Sequence, residues 1–406
     1  MFGTLGEPLS LLVHVTQHEG RSLEQLLTPP RLGGEAPAIG GAIVEAAYVL
    51  RDPPLLVRLA DGPIPWAIDP QSVRFASPGY RSVASLSALP YAPPAALDPT
   101  RFTADHKVMV EAALRFQATY EPALYVVPSL PLARASAKTF GAWQALHDFA
   151  WSVNGSSDVP VRPMIASAYP GLQVVRGRFS VFDRLGDRTW AGIYVQPLQL
   201  DSKRDGVEKL VAFVRFLQEA QTAGLKVIAG RPGAFGLVLA ALGVDYFDSG
   251  LDGGDSFSLS RLDQPRQRDS EGRLRGGRAK PVYLRSVMSA VRGPDATGLL
   301  ESLALRSQLA CDIDECLNGG YRYALEHPRV HFFHARQKEL RSLRELPTTS
   351  LRVQLVNDWL ESAIGTARLI NRVREEQGVR PIEFGYLDRW RGVLVRIAAL
   401  VAVSEA

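Results

Sequence analysis

The sequence predicts a parallel α/β fold, most simply a (β/α)₈ TIM-like barrel with an irregular N-terminal segment and a C-terminal helical region. Three observations predict it. Short apolar runs alternate with helix-forming segments through residues 64–290. Residues 225–255 read as strand, turn, helix and strand, which is about the thirty residues of one βαβ unit. The 406 residues, 46% of them hydrophobic and 22% charged, suffice for one large barrel with additions.

Taken in order, residues 1–60 mix short apolar runs with proline and glycine, and we expect them to pack on the barrel as an N-terminal segment. The barrel core is predicted to span residues 61–298. Seven strands are predicted within it, at residues 64–69, 124–127, 161–166, 190–196, 226–229, 244–248 and 282–284. The eighth strand has no assigned position.

Helices are predicted between these strands at residues 105–120, 140–152, 206–223 and 237–242. The third has the clearest pattern, with Val207, Leu210, Val211 and Val214 at i, i+3, i+4 and i+7. Residues 299–406 are predicted to be mostly helical, with apolar faces over 351–375 and 387–403. We expect these helices to close the barrel or to form a small appended domain rather than to bind a membrane.

Composition indicates a cytoplasmic protein. The net charge of +4 permits a nucleic-acid partner without requiring one. Two cysteines cannot build a disulfide framework, which favours a reducing compartment. The N-terminus lacks the early basic residues of a signal peptide, and no apolar run reaches the ~18 residues of a membrane span. The oligomeric state stays open between a homo- and a hetero-oligomer.

Two aspartates end predicted strands, Asp69 in WAIDP and Asp248 in YFDSG. Because the carboxyl ends of parallel strands share one barrel mouth, an acid/base residue and a carboxylate nucleophile are expected there. Alternatively, each aspartate only caps the next helix or turn. Gln196, at the end of its strand, can donate to and accept from a base edge, or it can be a satisfied structural amide.

The loop from Gly230 to Gly236 offers backbone N–H groups near a helix start, which suits an anion or a carbonyl oxygen. It lacks the GxGxxG spacing of a dinucleotide site, so an ordinary helix-start turn is the competing interpretation. We also name Arg231 and Ser249, the neighbours of Gly230 and Asp248, as substrate-binding candidates.

The chain becomes basic after the second aspartate. Between Arg261 and Arg285 there are seven Arg and one Lys against two Asp and one Glu. Such a stretch beside an active site is expected to hold nucleic-acid phosphates. The candidates are Arg261, Arg266, Arg268, Arg273, Arg275 and Arg278. The competing interpretation is a solvated loop without a partner.

A partial zinc motif follows in LACDIDECLNGG. Cys311 and Cys316, with His331 or His334 behind them, supply part of a metal site. A closed structural site needs four ligands, and Ile313 occupies the useful position between the cysteines. Unless an acidic neighbour completes it, we expect this site to be degenerate or absent.

Together these segments resemble the tRNA-guanine transglycosylases and their DNA-modifying relatives, which insert 7-deazaguanine bases. The likeness covers roughly residues 60–340 in the same order along the chain. It is carried by Asp69, AGIYVQ at 191–196, KVIAG at 226–230, GVDYFDSGL at 243–251 and the spacing of Cys311 and Cys316. The resemblance implies that Asp248 is the nucleophile, Asp69 the second aspartate and Gln196 the base-reading glutamine. It also implies a Gly230 backbone contact to the base, and a zinc site.

The sequence departs from this family at several places, including a shorter spacing from the cysteines to His331 or His334 and the lack of the family's PTR sequence after the nucleophile block. The family's DSGGFQ reads Asp69-Pro-Gln-Ser-Val-Arg here, a further base-binding aspartate is replaced by the stretch Val127-Pro128-Ser129, and one zinc cysteine is Ile313. We therefore carry two main hypotheses. The first is a transglycosylase exchanging a guanine-type base for a 7-deazaguanine in DNA or RNA. The second is a catalytically degenerate barrel that binds nucleic acid or a protein partner; a metal-dependent barrel hydrolase ranks below both.

Overall fold

The computed structural model describes residues 8–16, 19–27, 40–61, 64–132, 136–154, 159–167, 190–251 and 280–405, together with Phe182 and Leu185. Within these ranges, no helix combines the length and the apolar composition needed to cross a membrane.

Nine parallel strands form the main sheet, and eight of them make a nearly closed ring. The strands are β1 (Ser10–Val15), β2 (Ala42–Glu45), β3 (Trp66–Asp69), β4 (Tyr125–Val127), β5 (Pro131–Leu132), β6 (Val161–Ser167), β7 (Ile193–Pro197), β8 (Val227–Ala229) and β9 (Tyr246–Ser249). Their order is β3-β2-β1-β9-β8-β7-β6-β4, with β5 beside the end of β6. A single parallel bridge, Ala67 to Leu124, joins β3 to the start of β4 and closes the ring. The predicted (β/α)₈ barrel is confirmed.

The barrel interior is packed with side chains of alternate strand residues, because successive residues in a strand point to opposite faces. One buried cluster fills it: Leu12, Ile43, Ala67, Val73, Leu124, Val126, Met164, Ala166, Tyr194, Leu198, Ile228 and Tyr246. The intervening residues of the strands face outwards and belong to a second, larger cluster under the helices. The interior is therefore a solid core, and chemistry is confined to its ends.

Helices cover the outside of the ring and continue into the C-terminal region. Those of the barrel are α1 (Gly20–Leu27), α2 (Ala46–Val49), α3 (Pro53–Asp61), α4 (Ala84–Ser87), α5 (Ala104–Thr119), α6 (Ala137–Asn154), α7 (Val207–Thr222) and α8 (Gly236–Ala241). Those of the C-terminal region are α9 (Gly293–Glu301), α10 (Leu303–Leu309), α11 (Asp314–Gly319), α12 (Tyr321–Glu326), α13 (Pro328–Arg344), α14 (Thr349–Glu376) and α15 (Tyr386–Glu405). Single-turn 3₁₀ helices lie at Ser72–Ala76, Pro78–Ser82, Gly233–Phe235 and Arg285–Val287.

The C-terminal helices pack directly on the barrel. Helix α15 lies against α7, and α14 and α13 both contact α8. The indole of Trp390, fully buried on α15, donates to the Ser202 carbonyl at 2.7 Å and lies 5.7 Å from the Phe235 ring. At the amino end of β1, Arg344 from α13 donates to Ser10 Oγ at 2.7 Å. These helices close one side of the barrel.

Two strand assignments differ from the sequence analysis. Residues 1–60 were predicted to pack on the barrel, yet their described part supplies β1 and β2 of the ring. The predicted strand at 282–284 exists as β10 (Val282–Leu284), but it pairs antiparallel with β11 (Ser289–Val291) outside the ring. Strands β1, β2 and β10 are all short and almost completely buried. Burial alone does not reveal which neighbour a strand will pair with.

Candidate active site at the barrel mouth

A layer of polar residues closes the carboxyl end of the barrel interior. Each member lies two residues beyond a residue of the interior cluster, so its side chain faces the same way, one step closer to the mouth. The members, named the mouth layer here, are His14, Glu45, Asp69, Gln196, Gly230 and Asp248. Six of the eight strands thus contribute to one site, and both predicted catalytic aspartates are among its residues.

Asp248 is the most enclosed group of the mouth layer, with 0% exposure. Its Oδ2 accepts hydrogen bonds from His14 Nδ1 and from the Tyr194 hydroxyl, each at 2.7 Å. Its Oδ1 accepts from the backbone N–H of Arg231. A carboxylate oxygen has two lone pairs, so among the described residues Oδ2 is saturated and Oδ1 keeps one lone pair.

The environment of Asp248 favours the carboxylate. Burial is the largest single influence and acts to raise its pKa. His14 and Arg231 act against burial through their positive charges and their hydrogen bonds. Their combined effect is larger, so the pKa of Asp248 lies below its usual value. Asp248 is therefore ionised throughout the neutral range.

An arginine and a glutamate extend this network towards the mouth. Arg231 Nη2 donates to Glu45 Oε1 at 2.6 Å and contacts His14 Nε2. Arg74 Nη2 donates to the same Glu45 oxygen at 3.0 Å. The two guanidinium groups and His14, acting against burial, hold the pKa of Glu45 well below its ordinary value. Arg74 and Arg231 thus both bind Glu45, and His14 contacts Glu45, Arg231 and Asp248.

His14 lies between two carboxylates. Burial, the strongest influence, and the Arg231 charge lower its pKa, but Asp248 and Glu45 raise it to about 9 overall. Nδ1–H donates to Asp248, so a second proton would be on Nε2, which lies 3.6 Å from Glu45 Oε1. In the contact with Arg231, Nε2 is the acceptor, so the imidazole ring is neutral there. Protonation of Nε2 therefore requires the Arg231 guanidinium to move away from it. His14 can therefore take up a proton beside the nucleophile candidate.

The pKa of Asp69 is shifted in the opposite direction to that of Asp248. It is 2% exposed, and its Oδ1 accepts the backbone N–H of Gln71 at 2.8 Å. Burial raises the pKa of Asp69 above its usual value, and neither His14 nor Arg231 compensates for it. Gln71 and Arg231 both have left-handed backbones, with φ of 53° and 52°, which non-glycine residues adopt at a cost. In each case that conformation aims the N–H group at an aspartate.

The predicted substrate-binding residues all lie at this mouth. Gln196 is buried, and its Nε2 has no acceptor among the described residues. Gly230 donates its N–H to the Val195 carbonyl at 2.7 Å, so this N–H serves the sheet and not a ligand. A Cβ at residue 230 would lie 2.9 Å from that oxygen and 3.2 Å from the Tyr194 ring. Ser249 is fully buried and donates to the Gly250 carbonyl at 2.9 Å.

The basic stretch cannot be placed against the mouth. Arg261, Arg266, Arg268, Arg273, Arg275 and Arg278 lie outside the described residues. The last arginine of the stretch, Arg285, is described and pairs with Asp312, with Glu339 3.7 Å away.

Three of the four predicted metal ligands come together. One ligand atom each from Cys311, Cys316 and His331 lies within 4.8 Å of the others, and His334 is not part of this cluster. The Nε2 atom of His331 lies 2.8 Å from the Tyr283 carbonyl, which fixes the proton on Nε2 and leaves Nδ1 as an acceptor facing Cys316 at 3.3 Å. This tautomer fits a metal, but a tetrahedral site needs a fourth ligand that the cluster does not supply.

Four residues of the site were missed by the sequence analysis: His14, Glu45, Arg74 and Tyr194. A signal existed for two of them. His14 in SLLVHV and Glu45 in AIVE are single polar residues in otherwise apolar, strand-like runs. Arg74 and Tyr194 carry no comparable signal, because their roles depend on contacts across the ring.

No protein family and no curated protein matches this chain in sequence.

Proposed function

We propose that this protein exchanges a guanine-type base for a 7-deazaguanine in a nucleic acid by glycosyl transfer, with Asp248 as the nucleophile. The supporting observation is that an ionised and a protonatable carboxylate belong to one layer of the barrel mouth. Asp248 has a lowered pKa and Asp69 a raised one. Two carboxyl groups whose pKa values are pushed apart are the usual arrangement for a nucleophile and an acid/base.

The reaction runs in two displacements. Asp248 Oδ1, the oxygen with a lone pair left, attacks C1′ of the sugar, and the C1′–N9 bond breaks with its electron pair going to the base. Asp69, whose pKa is raised by burial, donates a proton to the departing base from its protonated form. The incoming base then returns a proton to the Asp69 carboxylate, and its ring nitrogen attacks C1′. This step releases Asp248 from the ester.

Recognition of the base falls to the remaining mouth residues. The unpaired Nε2 of Gln196 offers a buried donor that a base carbonyl can accept. The absence of a side chain at Gly230 permits the close approach of β8 to β7, because a Cβ there would meet the Val195 carbonyl and the Tyr194 ring. Because the reacting C1′ must reach a buried carboxylate, the nucleotide has to leave its stack before it enters the mouth.

Covalent trapping tests this proposal. Wild-type protein is incubated with DNA or RNA and an incoming base, denatured, and assayed for a protein–nucleic-acid adduct. We expect an adduct with wild type and none with Asp248→Ala. Asp358→Ala, which removes an exposed carboxylate on α14 instead, serves as the matched control and should still form it. If wild type forms no adduct with either nucleic acid, the proposal fails.

A second candidate is a catalytically degenerate barrel that binds nucleic acid or a protein partner. The fully buried Asp248 and its three hydrogen bonds favour it, because a nucleophile held in this way has to be released before it can attack. Under this alternative Asp248→Ala leaves binding unchanged and no substrate is consumed. The two candidates therefore differ in adduct formation and agree in binding.

A further inference from the structure

A polar cavity lies between the starts of helices α1 and α13. Its volume is about 120 Å³, several times the ~30 Å³ that one water occupies in the liquid. Four basic side chains line it, those of Arg21, Lys280, His327 and Arg329, against one acidic side chain, that of Glu326. The cavity is therefore large enough for a tetrahedral oxyanion and has the charge to attract one.

Two of these cations have no carboxylate partner among the described residues. Arg21 and Lys280 are both exposed, and no described carboxylate lies within ion-pair distance of either. Arg329, in contrast, is paired, with its Nη2 3.9 Å from Glu19 Oε1. The unpaired charges remain available for an anion from solution.

The helix starts strengthen this conclusion. Neither α1 nor α13 has an acidic residue in its first turn, although the positive end of the helix dipole favours acidic residues there. Arg21 lies in the first turn of α1 and Arg329 in the first turn of α13, where the dipole disfavours a cation. Arg21, which has no described carboxylate partner, is therefore unfavourable at the start of α1, and a bound anion would relieve this.

The location ties the cavity to the mouth layer. Helix α1 begins five residues after β1 ends at Val15, so its start lies at the carboxyl-end rim of the barrel. His14 precedes that strand end by one residue, and α13 packs against both β1 and α1. An extended polyanion with one nucleotide in the mouth therefore passes close to the cavity.

We propose that this cavity binds a backbone phosphate of the nucleic acid whose nucleotide enters the mouth. This inference rests on the proposed function, and it identifies a contact that the basic stretch at 261–278 does not include. Arg21 and Lys280 supply the charge, and the N–H groups of the two helix starts supply hydrogen-bond donors.

The double variant Arg21→Ala/Lys280→Ala tests the proposal, with a labelled oligonucleotide titrated at several salt concentrations. Losing one phosphate contact should lower the slope of log K against log[salt] by about 0.9 and weaken binding at low salt. The control is Arg115→Ala/Lys226→Ala, which removes two exposed cations nearer the opposite rim. It should keep the wild-type slope. All these side chains are exposed, so folding is expected to be preserved.

The outcomes separate this inference from the proposed function. If wild type binds and forms the adduct but the double variant matches it in affinity and slope, the cavity assignment is overturned and the proposed function stands. If wild type binds no oligonucleotide while inorganic phosphate protects Arg21 and Lys280 from chemical modification, the nucleic-acid assignment is overturned. A salt slope that is reduced in the double variant but not in the control variant supports the inference.

Discussion

Asp69 and Asp248 lie in the same layer, but their pKa values shift in opposite directions because their neighbouring groups differ. Asp248 faces His14 and Arg231 directly and receives three hydrogen bonds. Asp69 receives one backbone hydrogen bond and no charged one among the described residues. At the scale of single residues, the division of labour between nucleophile and proton donor follows from these partners.

Asp69→Asn tests the proton-donor role. An amide keeps the shape of the side chain but cannot transfer the proton, so the rate of base release should fall about 10²–10⁴-fold. In wild type the rate should decline on the alkaline side, once pH exceeds the raised pKa of Asp69, and this limb should vanish in the variant. Initial rates measured across pH 4–9 check this; an unchanged alkaline limb in Asp69→Asn would contradict it.

His14→Gln tests the charge network through stability. The folded pKa of about 9 lies above the ordinary 6.5, so His14 binds its proton more tightly in the folded protein. Its contribution to the free energy of unfolding is fully present below pH 6.5 and lost as pH rises through about 9. Denaturant unfolding should show the gap between wild type and variant narrowing from pH 6 to pH 9.5.

The matched control for that experiment is His327→Gln, which removes an exposed imidazole. Its effect on the free energy of unfolding should be small, within about 0.5 kcal/mol, as is usual for an exposed side chain. A pH-independent gap for His14→Gln would mean that the ring stays neutral, as its contact with Arg231 alone would indicate.

At the scale of elements, the strand-end residues of the mouth depend on how tightly the helices approach the sheet. Gly236 begins α8, and a Cβ there would lie 2.4 Å from the Phe247 ring on β9, next to Asp248. Gly141, in the middle of α6, has nothing within 4 Å of the same position. The two helical glycines therefore differ in the space around them.

Gly236→Ala should lower the free energy of unfolding by roughly 1–3 kcal/mol, because the new methyl displaces a buried ring. Gly141→Ala should raise it by ~0.5–1 kcal/mol, because alanine favours the helix and limits the unfolded chain. Denaturant titration of both variants measures the two values. Equal effects in the two variants would contradict the close packing of α8 on β9.

The sequence predicted most elements and part of the site, for reasons that differ between them. Helices such as α7 and α14 have a repeating apolar face, which is local information and predicted their positions to within a few residues. Strands β1 and β2 are short and buried, and their identity as barrel strands depends on pairing across the ring. Asp69 and Asp248 were found because they end strands, whereas Tyr194 lies inside one and contacts Asp248 only after folding.

At the scale of the whole molecule, closure of the ring assembles the site. Strand β1 pairs with β9, so Leu12 lies beside Asp248 although the two are far apart in sequence, and this pairing brings His14 onto the carboxylate. The C-terminal helices α13 to α15 hold the same side of the barrel. The candidate active site therefore requires the N-terminal strand, the last barrel strand and the C-terminal region together.

Base exchange by the intact chain is the most direct test of the central claim. Radiolabelled guanine or a labelled 7-deazaguanine is incubated with unlabelled DNA or RNA and the protein, and label is counted in the polynucleotide after removal of free base. The account predicts incorporation by wild type and by the control Asp358→Asn, whose side chain is exposed on α14. It predicts none by Asp248→Asn, which preserves the side-chain shape but cannot attack C1′. Incorporation by Asp248→Asn at the wild-type rate, or none by wild type with either nucleic acid, would contradict it.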